Sequence, residues 1–537
     1  MNWLRTTFAG PAELHFLREE GLQAYDCALK ALSTAGSQVP SVPLTSPTEK
    51  IGRHVRWCAP VAVALLLSTG LTAGNTPAQN QARSQAKASQ NKEFTPDLLK
   101  QLVEIRDASL TDDYAYRQVA HITENIGPRL TGSPQAVEAA KYVADQLQAL
   151  GLAAKLEEVR VPRWTRGTET AELVDYPGRT ANTAQKVVVT ALGGSSATAP
   201  EGLTAEVVVV RNFDQLNALS RNQIAGKIVL FNYPFDERKA EAGHALDAYG
   251  EAVVYRGMGP RTAAQFGASA ALVRSVGGAD YRLPHTGYSA PALIPAGAVT
   301  AEDADLISHL AAQGPVKMHL TLTPQNLPET VGYNVVADLK GSQNPEQVVI
   351  VSGHLDSWDL GTGALDDAVG VAMAMQTVHV LQQLHLRPKR TIRVIAWMDE
   401  ESGGRGREAY TTAHNSEFAN HVAAIESDLG AAHPLGFDGK ISAAAAEMLE
   451  PVREVLASFG ANLLQVVPFA PGADLAGMAN AGIPTLGVLQ DGRTYFNYHH
   501  TAADTLDKVS PQELRENAAA MAVMAYALAS SPTPLPR

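Results

Sequence analysis

The chain has 537 residues, of which 45% are hydrophobic and 18% are charged, and its formal net charge is −12. At about 100–200 residues per domain, this length predicts two to four structural units with ample core volume. An acidic surface without an arginine-rich stripe argues against nucleic acid or an anionic membrane as a partner. Cys27 and Cys58 both lie near the N-terminus, so the rest of the chain has no thiolate for a metal site or a nucleophile.

The first predicted segment is a leader with a signal peptide, residues 1–78. Arg53 and Arg56 precede the apolar run Ala59–Leu67, and small residues follow it. This order predicts a secretory signal peptide near residues 51–78, and hence a secreted or periplasmic protein with no stable membrane anchor after cleavage. The run is about half of the ~20 residues that a membrane span needs. Because so many residues precede the signal, we expect translation to begin near Val55; an unusually long leader is the alternative.

Four further segments follow the leader. Residues 79–92 are rich in Gln, Ala, Ser and Asn and predict a linker. Residues 93–158 have apolar positions at helical spacing and form the first part of a main domain. In residues 159–325 short β-type runs alternate with helical segments between Gly and Pro, which predicts a separate α/β insert. The main domain then resumes over residues 326–537.

The second part of the main domain contains near-continuous apolar runs separated by helical segments. These runs are Val348–Val351, Ile392–Trp397, Val422–Ile425 and Thr485–Val488. Such runs predict strands that are buried on both faces of a sheet. The predicted fold class is therefore α/β, with a mostly parallel central sheet covered by helices.

Acidic and His side chains cluster where these strands end, at His354, Asp356, Asp366, Asp367, Asp399, Glu400, Glu401, Glu426, Asp428, His499 and His500. In such sheets, ligands bind beyond the carboxyl ends of the strands. Each group alone has a structural explanation, such as a hydrogen-bonded His, a helix cap or a solvated acid. Together, so many carboxylates would repel one another unless a cation were present. His and carboxylate ligands without sulfur suit a divalent metal such as zinc.

Five motifs occur in a fixed order: Gly353–Ser357, Gly363–Asp367, Glu400–Gly404, Glu426–Asp428 and Tyr498–Thr505. In this order they resemble the co-catalytic dizinc exopeptidases, a family that includes bacterial leucyl aminopeptidases and glutamate carboxypeptidases. The stretch from Gly353 through residue 365 is most similar to the plasma glutamate carboxypeptidase branch. The resemblance implies a phosphorylase/hydrolase-like zinc exopeptidase fold. Through Ile224–Leu230, the insert resembles a protease-associated domain, which would wall the active site.

The resemblance implies two zinc ions per chain and a set of ligands for each ion. Asp366 would bridge the two ions. His354 and Asp428 would complete one site, and Glu401 and His500 would complete the other.

It also implies roles for residues beside the ligands. Glu400 would be the general base, and Asp356 would orient the imidazole of His354. His499 is the rival of His500, but the family places its ligand immediately before Thr or Ser, which favours His500 because Thr501 follows it.

The expected activity is hydrolysis of dipeptides or short peptides with a free N-terminus. The predicted site is rich in carboxylates and poor in Arg and Lys, which favours an α-amine over a C-terminal carboxylate. The alternatives are a carboxypeptidase of the same family, a catalytically inactive receptor-like homologue, and a zinc acyltransferase that cyclises N-terminal glutamine. A peptide is the expected partner, and a homodimer is left open.

Overall fold

The structure, a computed structural model, describes residues 93–278 and 281–537. The predicted signal peptide and the predicted linker lie outside these residues. The α-helices of the described residues are α1 Pro96–Ser109, α2 Tyr114–Ala120, α3 Pro134–Ala149, α4 Phe213–Asn217, α5 Arg221–Ile224, α6 Glu237–Glu241, α7 Ala245–Gln265, α8 Ala301–Ala311, α9 Val369–Gln383, α10 Arg405–His414, α11 Ala443–Met448, α12 Glu450–Leu456, α13 Ala476–Asn480 and α14 Pro511–Ser530.

The strands of the described residues are β1 Ala153–Thr165, β2 Glu169–Asp175, β3 Gln185–Val187, β4 Val189–Ala191, β5 Leu203–Val210, β6 Ile228–Phe231, β7 Ala270–Arg274, β8 Ala296–Val299, β9 Lys317–Leu322, β10 Gln325–Leu339, β11 Asn344–His354, β12 Arg390–Trp397, β13 His421–Glu426, β14 Pro434–Lys440, β15 Leu463–Val466 and β16 Thr485–Gln490. They form two sheets. The first sheet contains β1 and β10 to β16, and the second contains β2 to β9.

The first sheet has the strand order β1-β10-β12-β11-β13-β16-β14-β15. Its four central strands, β12, β11, β13 and β16, run parallel to one another. They contain the four apolar runs of the sequence, so the predicted α/β class with a parallel centre is confirmed. Antiparallel partners flank this centre, because β10 pairs with β12 and β14 pairs with β16 in the antiparallel sense.

Both faces of the first sheet are buried, which explains why its central strands are apolar throughout. Along β11, Val349 and Val351 belong to the core beneath α1, α3, α9 and α14. Ile350 packs on the opposite face with Trp397 and Tyr410. Consecutive side chains of a strand point to opposite faces, so only an unbroken apolar run fits between two layers of helices.

Side-chain caps fix where several helices of the main core begin. Thr95 accepts a hydrogen bond from the amide of Leu98 at the start of α1, and Ser133 accepts one from Ala136 at the start of α3. A capped first turn satisfies amides that would otherwise lack a partner. Ser510 caps the buried helix α14 in the same way.

The second sheet has the order β3-β2-β9-β5-β6-β7-β8-β4, and its strands lie within residues 169–322. Strands β5, β6, β7 and β8 run parallel to one another, and β9 and β4 flank them in the antiparallel sense. Strand β1 continues past the predicted boundary at 159 as far as Thr165 and stays in the first sheet. The division into domains and the protease-associated character of the second sheet stay predictions.

Hydropathy gives one further result for the described part of the chain. None of its helices is both long enough and apolar enough to cross a membrane.

Candidate metal centre and active site

The parallel strands bring the predicted site residues to one edge of the first sheet. His354 ends β11 and lies in register with Trp397, just before Glu400 and Glu401 in the chain. Glu426, two residues before Asp428, ends β13 and lies in register with β11. Since parallel strands share the edge at which their carboxyl ends meet, residues far apart in sequence converge there.

One half of the site is built around the imidazole of His354. Its Nε2 lies 3.0 Å from Asp366 Oδ1 and 3.1 Å from Asp428 Oδ1. His354 and Asp366 are buried, whereas the Asp428 side chain keeps 23% of its exposure. This partial exposure leaves the group open on the Asp428 side.

The other half contains His500 and Glu401. His500 Nε2 lies 3.0 Å from Glu401 Oε2 and 3.2 Å from Asp366 Oδ2. The indole of Trp358 also donates a hydrogen bond of 2.6 Å to Glu401 Oε2. Asp366 therefore turns one carboxylate oxygen toward each half of the site.

His499 also lies close to Asp366, with its Nε2 3.5 Å from Asp366 Oδ2. Its ring stacks on that of His500 at a centroid distance of 3.6 Å. Only His500 of this pair also lies within 3.0 Å of Glu401. The geometry thus gives His500 two acidic neighbours and leaves His499 with a more distant one.

Asp356, which was expected to orient the imidazole of His354, contacts that ring through its main chain. The atom that lies 3.0 Å from His354 Nδ1 is the backbone carbonyl oxygen of Asp356, while its carboxylate is 4.0 Å away. The carboxylate instead accepts hydrogen bonds from the backbone amides of Glu400 and Glu401, at 3.1 and 3.3 Å. β11 ends at His354, and the chain beyond it brings the main chain of Asp356, rather than its side chain, closest to the imidazole.

Two residues that the sequence did not single out hold the loop before α9 in place. The carboxylate of Asp504 accepts hydrogen bonds from the amides of Ala364, Leu365 and Asp366, at 2.7–3.2 Å. Asp504 lies inside the Tyr498–Thr505 motif, so its position was the available signal. These bonds fix the backbone of Asp366 and hence the direction of its carboxylate.

The second of these residues, Arg129, is fully buried. Its guanidinium donates to the carbonyl oxygens of Leu355, Thr362 and Gly363, at 2.6–2.8 Å. It therefore ties the chain after His354 to the loop before Asp366. The sequence offered no signal, because Arg129 lies in an ordinary-looking turn more than 200 residues before its partners.

The electrostatic environment of the buried acids favours a bound cation. Burial raises the pKa of Glu400 well above its usual range, and Asp428 and Glu401 raise it further, while His354 opposes this. Burial likewise raises the pKa of Glu401 and that of Asp428. Buried, mutually repelling carboxylates are stabilised by a cation.

The buried carboxylate oxygens of the site also favour a bound cation. Glu401 Oε1 is buried without a hydrogen-bond partner among the described residues, and the neighbours of Asp366 Oδ2 are the imidazole nitrogens of His500 and His499, at 3.2 and 3.5 Å. A buried carboxylate oxygen without a donor is costly, and a metal ion would satisfy it.

Residues 93–278 and 281–537 contain three groups of side chains that could hold a metal ion. Within each group, the candidate ligand atoms lie within 4.8 Å of one another. The groups are Asp366 with His499 and His500, His354 with Asp366 and Glu401, and His354 with Asp367 and Asp428. The donor set of imidazole nitrogens and carboxylate oxygens fits zinc.

Comparison with known proteins gives consistent results. Residues 334–525 match peptidase family M28. Over 447 residues, 82% of this chain and 90% of the relative, the chain is 35% identical to carboxypeptidase Q of Homo sapiens. The crystal structure of a peptidase M28 precursor from Shewanella amazonensis SB2B matches with a TM-score of 0.76 and 33% identity, over 82% of this chain and 98% of that one.

A zinc aminopeptidase from Bacillus subtilis matches with a TM-score of 0.56 and 19% identity, over 77% of this chain and 94% of that one, and supports the fold alone. The resemblance inferred from the five motifs is confirmed by the identity to carboxypeptidase Q, which extends far beyond those motifs. The chain belongs to peptidase family M28 and is a metallopeptidase of the exopeptidase type.

Proposed function

We propose that this metallopeptidase binds two zinc ions and hydrolyses dipeptides or short peptides that have a free N-terminus. The observation that carries the two-metal part is the position of Asp366. Its Oδ1 lies 3.0 Å from His354 Nε2, and its Oδ2 lies 3.2 Å from His500 Nε2. A carboxylate with one oxygen toward each of two ligand groups is suited to bridge two cations.

The same distances support the ligand assignment that the motifs implied. His354 and Asp428 would hold one zinc with Asp366, and Glu401 and His500 would hold the other. The proposal prefers His500 to His499 because only the imidazole of His500 approaches Glu401. Both halves then have an imidazole and a carboxylate of their own in addition to the shared carboxylate.

The residues around the metals supply the rest of the chemistry. Bound zinc would acidify a water molecule and polarise the scissile carbonyl. Glu400 would accept the proton of the attacking water and return it to the leaving amine. Asp356 holds the Glu400 amide, so it fixes the backbone from which this base projects.

A free N-terminus is proposed because of the charge around the site. The buried acids Glu426 and Asp474 add to the carboxylates of the metal groups. The two arginines that follow Glu401 closely in the sequence, Arg405 and Arg407, already have acidic neighbours. Arg405 is paired with Glu329, and Arg407 lies 3.8 Å from Asp474.

A carboxypeptidase is the second candidate. The observation in its favour is the 35% identity to a protein named carboxypeptidase Q. The two candidates differ in which terminus of the substrate must be free, so blocked dipeptides separate them.

The metal part is tested by metal analysis of the purified protein. We expect close to two zinc ions per chain, loss of dipeptide hydrolysis after chelation, and recovery when zinc is returned. Full activity in thoroughly metal-free protein, or a single zinc at saturation, would contradict the proposal.

We further propose that the chain is exported by means of the predicted signal peptide and that residues 169–322 form a protease-associated domain beside the site. The second sheet within these residues supports the latter. Mass spectrometry of the exported protein should find an N-terminus between about Gly74 and Lys92. An intact Met1 on a cytosolic protein would refute the export proposal.

A further inference from the structure

The second-sheet segment, residues 169–322, reaches the metal centre at the imidazole of His500. The carbonyl oxygen of Thr286 lies 3.2 Å from His500 Nδ1. The guanidinium of Arg256, on α7, lies 3.3 Å from the same nitrogen. Both residues belong to this segment, whereas the predicted metal ligands all belong to the first-sheet part of the chain.

We propose that this segment completes one of the two metal sites, with Thr286 and Arg256 positioning the imidazole of His500 for metal binding. The inference rests on the proposed two-metal function. A metal-binding imidazole normally donates its other N–H to an acceptor, which fixes both its tautomer and its orientation. His500 would need a partner of this kind.

The tautomer identifies the Thr286 carbonyl as that acceptor. To bind a metal through Nε2, His500 must carry its proton on Nδ1, and Nδ1 then donates to Thr286 O. Arg256 has only donors, so it cannot accept this proton. Its Nη1 instead lies 3.4 Å from Thr286 O, to which it donates. Arg256 thereby holds the carbonyl oxygen that accepts the Nδ1–H hydrogen bond of His500.

Arg256 is itself firmly held. It is only 6% exposed, and its Nη2 donates to the Tyr249 hydroxyl at 2.8 Å. Its guanidinium lies against Gly287, where an added Cβ would overlap it. Gly287 also has a φ of 139°, a backbone conformation that glycine adopts freely. Glycine at this position therefore leaves the space that the guanidinium occupies.

The position of Arg256 argues against a direct role in holding substrate. It contacts the Nδ1 side of His500, whereas Nε2, on the opposite side of the ring, lies near Asp366 and Glu401. A substrate that reaches the metals would meet the Nε2 side. Arg256 is thus a positioning residue, which acts through His500.

The other ligand of the same metal site has a contact with this segment too. Trp358, which donates to Glu401 Oε2, packs its indole against Gly193, where an added Cβ would overlap the ring. The hydrogen bond and this packing together fix the Glu401 carboxylate. Glu401 and His500 are the two ligands that one metal site does not share with the other. Both therefore depend on residues 169–322 for their orientation.

The test measures zinc affinity by chelator competition in the full chain. The variants are Arg256→Met and, as a conservative partner, Arg256→Lys. Arg256→Met should weaken one of the two sites by about 10–100-fold and leave the other unchanged. Arg256→Lys, which keeps a donor for the Thr286 carbonyl, should recover part of the loss. Arg274→Met is the matched control, because Arg274 lies in the same segment and pairs with Asp305, away from the site; it should keep both affinities.

A double-mutant comparison separates positioning from a general folding defect. In a His500→Ala background only one site remains, and Arg256→Met should not change its affinity. Further loss at that remaining site, equal weakening of both sites in the single variant, or two unchanged sites would each overturn the inference. If the unmodified protein itself fails to bind two zinc ions, the two-metal function fails first, so the two failures are distinguishable.

Discussion

The hydroxyl of Thr131 donates a hydrogen bond of 2.6 Å to Asp356 Oδ2, although the two residues are 225 positions apart in the chain. The Asp356 carboxylate is fully buried and also accepts from the amides of Glu400 and Glu401. Thr131 thus fixes the acid that holds the proposed base. This chain of contacts links the turn before α3 to the proposed base.

Replacing Asp356 with Asn should lower kcat by about 10–100-fold while both metals remain bound. The amide of Asn would turn an N–H toward a donor, either the Thr131 hydroxyl or the backbone of Glu400 and Glu401, so the base would shift. Steady-state kinetics with parallel metal analysis checks this. Thr131→Ser, which keeps the hydroxyl, is the control and should stay near wild type, whereas a near-normal kcat in Asp356→Asn would contradict the argument.

Replacing Glu400 with Gln should leave two zinc ions bound but reduce turnover by about 10²–10⁴-fold, because Gln cannot accept the proton. Asp366→Asn should instead disturb both metals, since its two oxygens face both halves of the site. Metal content and kcat are measured on the same samples. Glu138→Gln, an exposed carboxylate far from the site in the sequence, is the control. Near-normal turnover in Glu400→Gln would remove Glu400 from the mechanism.

Replacing Arg129 with Met should lower the free energy of unfolding by about 3 kcal/mol or more. The change leaves buried carbonyl oxygens of the Leu355 and Gly363 loops without their donor. Urea unfolding of the metal-free protein measures this change in the free energy of unfolding without a contribution from bound metal. Arg179→Met removes a single exposed hydrogen bond, to Thr183, and should cost little. Equal effects of the two substitutions would refute the account.

The stability contributed by Asp338 should depend on pH. Burial by itself would raise the pKa of Asp338, but hydrogen bonds and ion pairs with Arg393 and Lys340 outweigh burial and lower it. A lowered folded-state pKa contributes stability that is present above the unfolded pKa and is lost as pH falls through the folded pKa.

Asp338→Asn should therefore cost about 1–3 kcal/mol at pH 7. The difference from wild type should shrink as pH falls below about 4, the usual pKa of Asp. Unfolding curves at several pH values measure it. Asp175→Asn, whose carboxylate is exposed and 3.8 Å from Lys317, is the control. Its cost should be near zero at every pH, and a pH-independent cost for Asp338→Asn would be inconsistent with the ion pair.

N-acetylation of a dipeptide should abolish its hydrolysis, because the acid-rich site favours a charged α-amine. Amidation of the C-terminus of the same dipeptide should have a much smaller effect. Product release from the free, acetylated and amidated forms is compared at equal concentration. Equal cleavage of the free and acetylated forms, with loss on amidation, would move the assignment to a carboxypeptidase.

The sequence by itself determined the parallel centre of the first sheet and which residues gather at its edge. Strands buried on both faces need unbroken apolar runs, and the polar residues that follow such runs necessarily lie at the carboxyl ends. His354, Glu401 and Asp428 were recognisable for that reason. His500 follows a segment that is less distinctive in sequence, and it was identified instead from the order of the five motifs.

Only the tertiary structure decided how these residues are held. Thr131, Arg129 and Arg256 are joined to the site by contacts that span from 225 to 244 residues of sequence. Contacts between distant segments depend on how the layers pack, and no local period or spacing records them. For the same reason the sequence indicated that Asp356 orients the imidazole of His354 but not which atom makes the contact, which in the structure is the backbone carbonyl oxygen.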